Sequence, residues 1–173
     1  MASSHTTNVS PRVHREDMLF NGTRLEWYGH GSFRATSGLP GHQNASQQSH
    51  SDEGPIPEGL YSFQVKLSQD ANMISKTQLD HREGIEHIPS VLHFHGGNYE
   101  ARAWGSNRVR LSTVYIQDPK NRSRGGFYLH DSTKGYSHGC IEVDGDFFRK
   151  LRAYAKLPLA KRSGHAVLYV AVQ

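Results

Sequence analysis

Residues 125–156 read GGFYLHDSTKGYSHGCIEVDGDFFRKLRAYAK and contain the clearest strand and helix patterns of the chain. The aromatic segment GGFYLH predicts a β-strand that ends at His130, where turn-forming residues follow. Apolar residues then recur at helical spacing, at Phe147, Phe148, Leu151 and Tyr154. They predict an amphipathic helix from about Asp146 to Lys156, with Asp144 or Asp146 as its N-cap.

Outward from this stretch the patterns are those of strands. Asn21-Gly22 predicts a tight turn within LFNGTRLEWYG, and in GLYSFQVKL the alternating residues Tyr61, Phe63, Val65 and Leu67 predict a half-buried strand. Further predicted strands are SFRATSG, VLHFHGG, RVRLSTVYI and the final AVLYVAV. The fold class we expect is mostly β: a compact sandwich or barrel with one or two helices, one of them after the cysteine.

Length and composition favour one soluble domain. The chain has 173 residues, 35% hydrophobic and 21% charged, with 17 glycines, which suits a turn-rich β protein. The first 17 residues are polar and aperiodic, so we expect a flexible segment at 1–17 and a domain at 18–173. Residues 38–59, rich in Gly, Pro, Ser and Gln, predict a long surface loop.

The charge and hydropathy of the chain exclude only a few kinds of partner and location. Lys and Arg outnumber Asp and Glu by 20 to 16, giving a net charge of +4 and a mild bias toward anionic partners. No run approaches the ~20 apolar residues of a membrane span, and no apolar signal segment opens the chain. We therefore expect synthesis in the cytoplasm without a signal peptide, a monomer, no membrane insertion and no nucleic-acid partner, since no binding motif accompanies the basic run KNRSRGG.

Cys140 is the only cysteine, so it is either a buried apolar residue or a reagent. Gly139 before it permits a sharp turn that presents adjacent N–H groups to an oxyanion. A thiol needs an imidazole to take or share its proton, and two are close in sequence: His130 at a strand end, and His138 two residues before the cysteine. From these residues alone, catalysis and simple packing are equally supported.

The string Ser137-His138-Gly139-Cys140-Ile141, preceded by His130, resembles the active-site motif of L,D-transpeptidases with a YkuD-type catalytic domain. The segments TSG and GPIPEGLY and the pair Trp104-Gly105 followed by two arginines resemble the same family's framework, so the resemblance covers roughly residues 18–143. It implies an L,D-transpeptidase-like fold and a cysteine that attacks a peptidoglycan stem peptide.

Two departures narrow the resemblance. Only six residues separate His130 from Ser137, fewer than in ordinary cell-wall members, so the capping loop is expected to be short or absent, and Glu142 stands where many members carry Arg or Asn. The shortened form is similar to the L,D-transpeptidase effectors of type VI secretion systems. That similarity implies L,D-carboxypeptidase trimming of tetrapeptide stems, or exchange of the terminal D-Ala for another D-amino acid. It also implies action in the periplasm of a target bacterium and a cognate immunity protein.

Carried over by resemblance, Cys140 is the nucleophile, His130 the general base, and Gly139 with Cys140 the oxyanion donors, while Ser137 and His138 shape the pocket. The expected substrate-binding residues are Arg108, Arg110, Trp104 and Tyr136. The two arginines alternate along one strand face and suit a stem-peptide carboxylate. No cofactor and no metal are expected, because His93-x-His95 lacks a third ligand at a recognisable spacing.

Two other functions remain open. A papain-like or NlpC/P60-like peptidase also pairs Cys with His, but places the histidine well after the cysteine, and only His165 follows Cys140 here. The second is a non-catalytic β domain that binds wall polymer or a partner protein, with Cys140 merely buried.

Overall fold

The structure is a computed structural model that describes residues 16–75, 78–94, 97–100 and 104–173. The predicted flexible segment 1–17 lies outside the described residues apart from Glu16 and Asp17. Asp17 is part of the domain: its carboxylate accepts the backbone N–H of Tyr169 at 2.8 Å, and its own N–H donates to the Tyr169 carbonyl at 3.0 Å.

The mostly β prediction is confirmed. In chain order the strands are β1 (Met18–Phe20), β2 (Arg24–Trp27), β3 (Gly31–Ser37), β4 (Gly59–Gln64), β5 (Met73–Ser75), β6 (Gln78–Leu79), β7 (Ile85–His87), β8 (Val91–Phe94), β9 (Gly97–Glu100), β10 (Asn107–Arg110), β11 (Ser112–Ile116), β12 (Tyr128–His130), β13 (Ile141–Val143) and β14 (Val167–Val172). One α-helix, α1 (Gly145–Ala155), follows the cysteine as predicted. Short 3-10 turns occupy Ala45–Gln47, Pro119–Asn121 and Pro158–Lys161.

Ten strands form one curled sheet, a half-barrel in the order β11-β4-β14-β1-β2-β3-β13-β12-β10-β7. The predicted Asn21-Gly22 turn joins β1 to β2 in an antiparallel hairpin. Gly22 takes a φ of +94°, and the Asn21 side chain accepts the N–H groups of Thr23 and Arg24, as in an Asx turn. Two pairings are parallel, β1 with β14 and β12 with β13, and the second of these builds the candidate site.

Helix α1 covers the inner face of the sheet. Its N-cap is Asp144, whose carboxylate accepts the N–H of Asp146 at 3.3 Å. The Phe147 ring meets Trp27 of β2 and Phe33 of β3, with centroids 5.9 and 5.5 Å apart, so the predicted apolar stripe is the one that packs. None of the described helices is long and apolar enough to cross a membrane.

Residues 70–104, as far as they are described, form a feature that the sequence did not predict, which we call the covering lobe. No periodic pattern in residues 68–89 predicts a strand, yet β5, β6 and β7 lie there. The hairpins β5–β6 and β8–β9 share a separate apolar cluster of buried residues: Ala71, Met73, Leu79, Ile88 and Leu92. Trp104 packs against this cluster, and through it the lobe reaches the outer face of the main sheet.

Two strand predictions differ in extent. RVRLSTVYI is divided at Leu111 into β10 and β11, which pair with different neighbours at opposite ends of the sheet. In GLYSFQVKL the alternation predicts burial of Leu67, but β4 ends at Gln64 and Leu67 is 44% exposed. The alternation holds only while the chain remains paired to β14.

Candidate active site

Strand register brings Cys140 and His130 to the same face of the sheet. In the parallel pair β12–β13, Leu129 lies opposite Ile141 and His130 opposite Glu142. Successive side chains of a strand point to opposite faces, so Leu129 and Ile141 enter the core while His130 and Glu142 face outward. Cys140, one residue before β13, shares that outer face, and the N–H of Tyr128 hydrogen-bonds its sulfur.

The same face continues onto β10 and β7. Arg108 lies opposite His130 and Glu86 of β7 lies opposite Arg108. Arg108 is 1% exposed: its Nε donates to the Glu86 carboxylate at 2.7 Å, its Nη2 to the Asp80 carbonyl at 2.5 Å, and its guanidinium stacks over the Trp104 ring at 4.7 Å. The Nε and Nη2 groups of the Arg108 guanidinium are therefore already bonded to protein acceptors.

His130 is 3% exposed and held on two sides. Its Nδ1 lies 3.1 Å from the Ser132 hydroxyl, its ring bonds the Trp104 backbone, and the indole of Trp104 meets it edge-on at 5.5 Å. Burial, and then the charge of Lys134, lower the pKa of His130 to about 3, against a weaker upward effect of the Trp104 bond. At neutral pH this imidazole is uncharged, and a pKa this low makes it a weak base.

The thiol is uncharged as well. Burial of its sulfur raises the pKa of Cys140 to about 11, although the Tyr128 N–H and the charges of Arg108, Lys134 and Arg124 act to lower it. The residue as a whole is half-buried. The resting arrangement is thus a neutral thiol and a neutral imidazole, rather than a thiolate–imidazolium pair, within the field of three cations.

Two serines fix the turn that carries the nucleophile. The Ser137 hydroxyl donates to the Cys140 carbonyl and accepts the N–H of Gly38 at 3.3 Å. Ser37 donates to the Gly139 carbonyl at 3.4 Å and accepts the N–H of Ile56 at 2.8 Å. Because both hydroxyls join the turn 137–140 to the end of β3, the cysteine backbone is positioned by buried polar contacts.

Gly139 is required by its conformation and its surroundings. Its φ is +102°, a region that L-residues rarely adopt, and a Cβ there would lie 2.7 Å from Nη2 of Arg124.

Arg124 is a site residue that sequence reasoning placed in a solvated basic run. Its guanidinium donates to three backbone carbonyls of the long loop, those of Gln48 at 2.5 Å, Pro55 at 2.6 Å and Gly54 at 3.2 Å. It holds residues 38–58 against the nucleophile turn. Because its partners are backbone atoms some seventy residues away, no local motif marks it.

Glu142 and Ser132 were also missed. The Glu142 carboxylate, only 5% exposed, accepts the Ser132 hydroxyl and the N–H groups of Lys134 and Gly135, the latter at 2.6 Å. Since Ser132 also contacts His130, a chain of hydrogen bonds runs from carboxylate to hydroxyl to imidazole. Glu142, which differs from the residue that many L,D-transpeptidases have after the motif, therefore organises the short loop 131–136.

The remaining predicted residues lie around this centre. His138 is exposed and its Nδ1 bonds the Asp52 carbonyl at 2.9 Å, so it joins the turn to the long loop. Tyr136 is half-buried beneath the Lys134 ammonium, 4.7 Å from its ring, and Arg110 is exposed. Of the histidine pair weighed as metal ligands, His95 lies outside the described residues.

A cavity of about 310 Å³ adjoins the site. Its lining includes Thr36, Ser132, Lys134 and Glu142, so it opens next to the loop that follows His130. The chain matches no protein-family model and no curated protein at a significant level. Any functional conclusion therefore depends on the geometry of these residues and on the motif resemblance.

Proposed function

We propose that this protein is a cysteine acyl-transfer enzyme acting on peptidoglycan stem peptides, as an L,D-carboxypeptidase, an L,D-transpeptidase that exchanges the terminal D-Ala, or both. The proposal is supported by the strand register: His130 ends β12 and Cys140 immediately precedes the parallel strand β13, so alternation puts both side chains on the outer face of the sheet. The resemblance of the SHGC string supplies the substrate class.

In the proposed reaction, His130 removes the thiol proton as the Cys140 sulfur attacks the carbonyl of the third stem residue. The N–H groups of Gly139 and Cys140 hold the oxyanion, each contributing about 3 kcal/mol as in comparable acyl transfers. The C–N bond to D-Ala then breaks, and the imidazolium returns its proton to the leaving amine. Water or the amine of a D-amino acid resolves the thioester, which regenerates the thiol.

Proton transfer from the Cys140 thiol to His130 is unfavourable in the free protein, because the pKa of the thiol is about 11 and that of the imidazole about 3. The proposed mechanism therefore requires the bound substrate to bring the two pKa values closer together. The negative charge that develops on sulfur and oxygen forms near Arg108, Lys134 and Arg124, the cations that already lower the thiol pKa. The sulfur is thus charged mainly when the carbonyl is in place. In the free protein, alkylation by iodoacetamide should be slow at pH 7 and accelerate toward pH 10, since the thiolate is the reactive form.

For the substrate carboxylate we propose Lys134 and Arg110 rather than Arg108. Both are exposed, and Lys134 lines the cavity beside the site. Arg108 is paired with Glu86 and acts on the thiol through its charge and on His130 through packing of Trp104.

The test is incubation of purified protein with muropeptide tetrapeptides, with and without a free D-amino acid, read by mass spectrometry. We expect loss or replacement of D-Ala by the wild type and by His165→Gln, an exposed-histidine control, and none by Cys140→Ala. Intact tetrapeptides in every reaction would reject the proposal, as would turnover that persists in Cys140→Ala.

The raised thiol pKa also favours a second candidate, a non-catalytic β domain in which Cys140 is simply enclosed. That candidate predicts no turnover and no effect of His130 on thiol alkylation. If His130 acts as base, His130→Gln should slow alkylation of the thiol by an uncharged alkylating reagent while leaving the sulfur as enclosed as before.

The similarity to secreted effectors adds a role to the proposed activity, that of an antibacterial toxin in the periplasm. Periplasm-directed expression in a bacterial host tests it. The wild type should lyse or arrest cells, whereas Cys140→Ala should not. Toxicity that persists in the variant would reject a catalytic toxin.

A further inference from the structure

We propose that His42, His50 and Glu53, in the long loop that follows β3, form a binding site for a divalent transition-metal ion of the zinc class. Each residue offers one ligand atom, and the three atoms lie within 4.8 Å of one another. The cluster is separate from Cys140 and has no part in the acyl-transfer chemistry. From sequence alone no metal is expected, because these ligands lie at spacings of eight and three residues that match no common motif.

The donor set suits zinc. Two imidazole nitrogens and one carboxylate oxygen are ligands that Zn²⁺ takes at about 2.0–2.2 Å, with a fourth position left to water. Tetrahedral bonds of that length place ligand atoms about 3.4 Å apart, so small side-chain rotations close the site. Carboxylate-only chemistry, which would favour Mg²⁺ or Ca²⁺, is not what this cluster presents.

An unpaired nitrogen strengthens the assignment. Nδ1 of His42 is buried and has no hydrogen-bond partner in the described part of the chain. A buried polar atom normally finds a partner, and one that does not indicates a missing ion or water. The His42 and His50 rings lie 5.5 Å apart.

The backbone of the loop holds the three residues in place. Leu39 donates to the Glu53 carbonyl, His42 to the Leu39 carbonyl and Gly54 to the His50 carbonyl, each at 2.8 Å. Gly54 permits the closure, since a Cβ there would lie 1.9 Å from the Gln47 carbonyl oxygen. Little conformational entropy is left to lose when an ion binds.

The same loop forms one wall of the candidate active site. Its Asp52 carbonyl bonds His138, and its Gly54 carbonyl bonds Arg124, which contacts the position of Gly139. An ion bound to the loop should therefore stiffen the backbone around the nucleophile turn. Binding itself requires no catalytic activity, so it can be tested whether or not the proposed function holds.

The experiment is calorimetric titration of tag-free protein with Zn²⁺ at pH 7.5. We expect one site in the wild type, and affinity lowered at least about tenfold in each of His42→Ala, His50→Ala and Glu53→Gln. His165→Ala, which removes an exposed histidine outside the cluster, should bind as the wild type does. His50 and Glu53 are exposed, so their variants remain informative if His42→Ala fails to fold.

Co²⁺ gives an independent readout. Ligand-field absorption in the visible should appear with one equivalent in the wild type and be lost in His50→Ala. No Zn²⁺ binding at about 100 μM, or equal affinity in the wild type and the ligand variants, would overturn the proposal.

Discussion

The two sides of the candidate site are built by different forces. The nucleophile side, formed by residues 38–58 and the turn 137–140, is held by buried polar contacts from Ser37, Ser137 and Arg124. The covering lobe is joined to the sheet by β7 and by the bonds of Arg108 to Glu86 and Asp80, but its two short hairpins are held together by a cluster of five small to medium apolar residues. Directional bonds fix the position of atoms, whereas a small apolar cluster opens at low free-energy cost. We infer that the nucleophile side orients the thiol while the covering lobe adjusts to substrate.

His130 lies between the nucleophile side and the covering lobe. Of the substitutions we propose besides Cys140→Ala, His130→Gln should have the largest effect on activity. His130→Gln keeps a polar side chain but removes the base, and kcat should fall by about 10²–10⁴-fold. The measurement is the rate of D-Ala release, with Cys140→Ala as background. A rate unchanged from the wild type would remove His130 from the mechanism.

The same residue should make the protein sensitive to acid. The pKa of His130 in the folded state, about 3, lies below its ordinary value of 6.5. Its neutral form is favoured by folding, so this stabilisation is complete above pH 6.5 and is lost as the pH falls toward 3. At about 1.4 kcal/mol per pH unit, the loss is on the order of 5 kcal/mol.

Urea unfolding between pH 7.5 and 4 measures this loss of stability. In His130→Gln the free energy of unfolding should depend less on pH than in the wild type. Equal acid sensitivity in the variant and the wild type would show that other groups cause it.

Gly139→Ala tests the rigidity of the nucleophile side. The new Cβ meets Arg124 at 2.7 Å with φ at +102°, a strain of about 1–3 kcal/mol that shifts the turn and its oxyanion donors. We expect a roughly hundredfold loss of kcat with a lowered Tm. Gly125→Ala is the matched control, because a Cβ there meets no atom within 4 Å. Equal activity in both variants would contradict a preorganised turn.

Ile88→Ala probes the covering lobe and should have the smallest effect on the whole molecule. Ile88 is 1% exposed and belongs to the small cluster, so its truncation removes about 2–5 kcal/mol from the lobe alone. Hydrogen exchange should accelerate within residues 71–92 and KM should rise about tenfold, with little change in Tm. Leu25→Ala, in the main core, should instead lower Tm globally. If Ile88→Ala and Leu25→Ala had the same effects on hydrogen exchange and on Tm, the covering lobe and the main sheet would unfold as one unit.

The same contrast explains what could be predicted from sequence. Strands with alternating residues such as Tyr61 and Phe63, and the helix with its capping Asp144, are local patterns, and the structure has them. The pairing of His130 with Cys140 is predicted by their ten-residue spacing and by the motif. The register of β12 and β13 is consistent with it, because alternation puts both residues on one face of the sheet.

What escaped prediction depends on distant partners. Arg124 binds carbonyls of the long loop, and Glu142 accepts bonds that define the loop after His130, but neither contact leaves a periodic signature. Strands β5–β7 were missed because each has only two or three residues, too few for alternation to show.

The most direct test of the central claim is to trap the acyl-enzyme. Wild-type protein is mixed with tetrapeptide, quenched with acid within the first turnover, and measured intact by mass spectrometry. We predict a mass increase equal to the muropeptide less D-Ala, mapped to Cys140 as a hydroxylamine-sensitive thioester and absent from Cys140→Ala. Turnover of the peptide without any adduct, or an adduct on another residue, would contradict it.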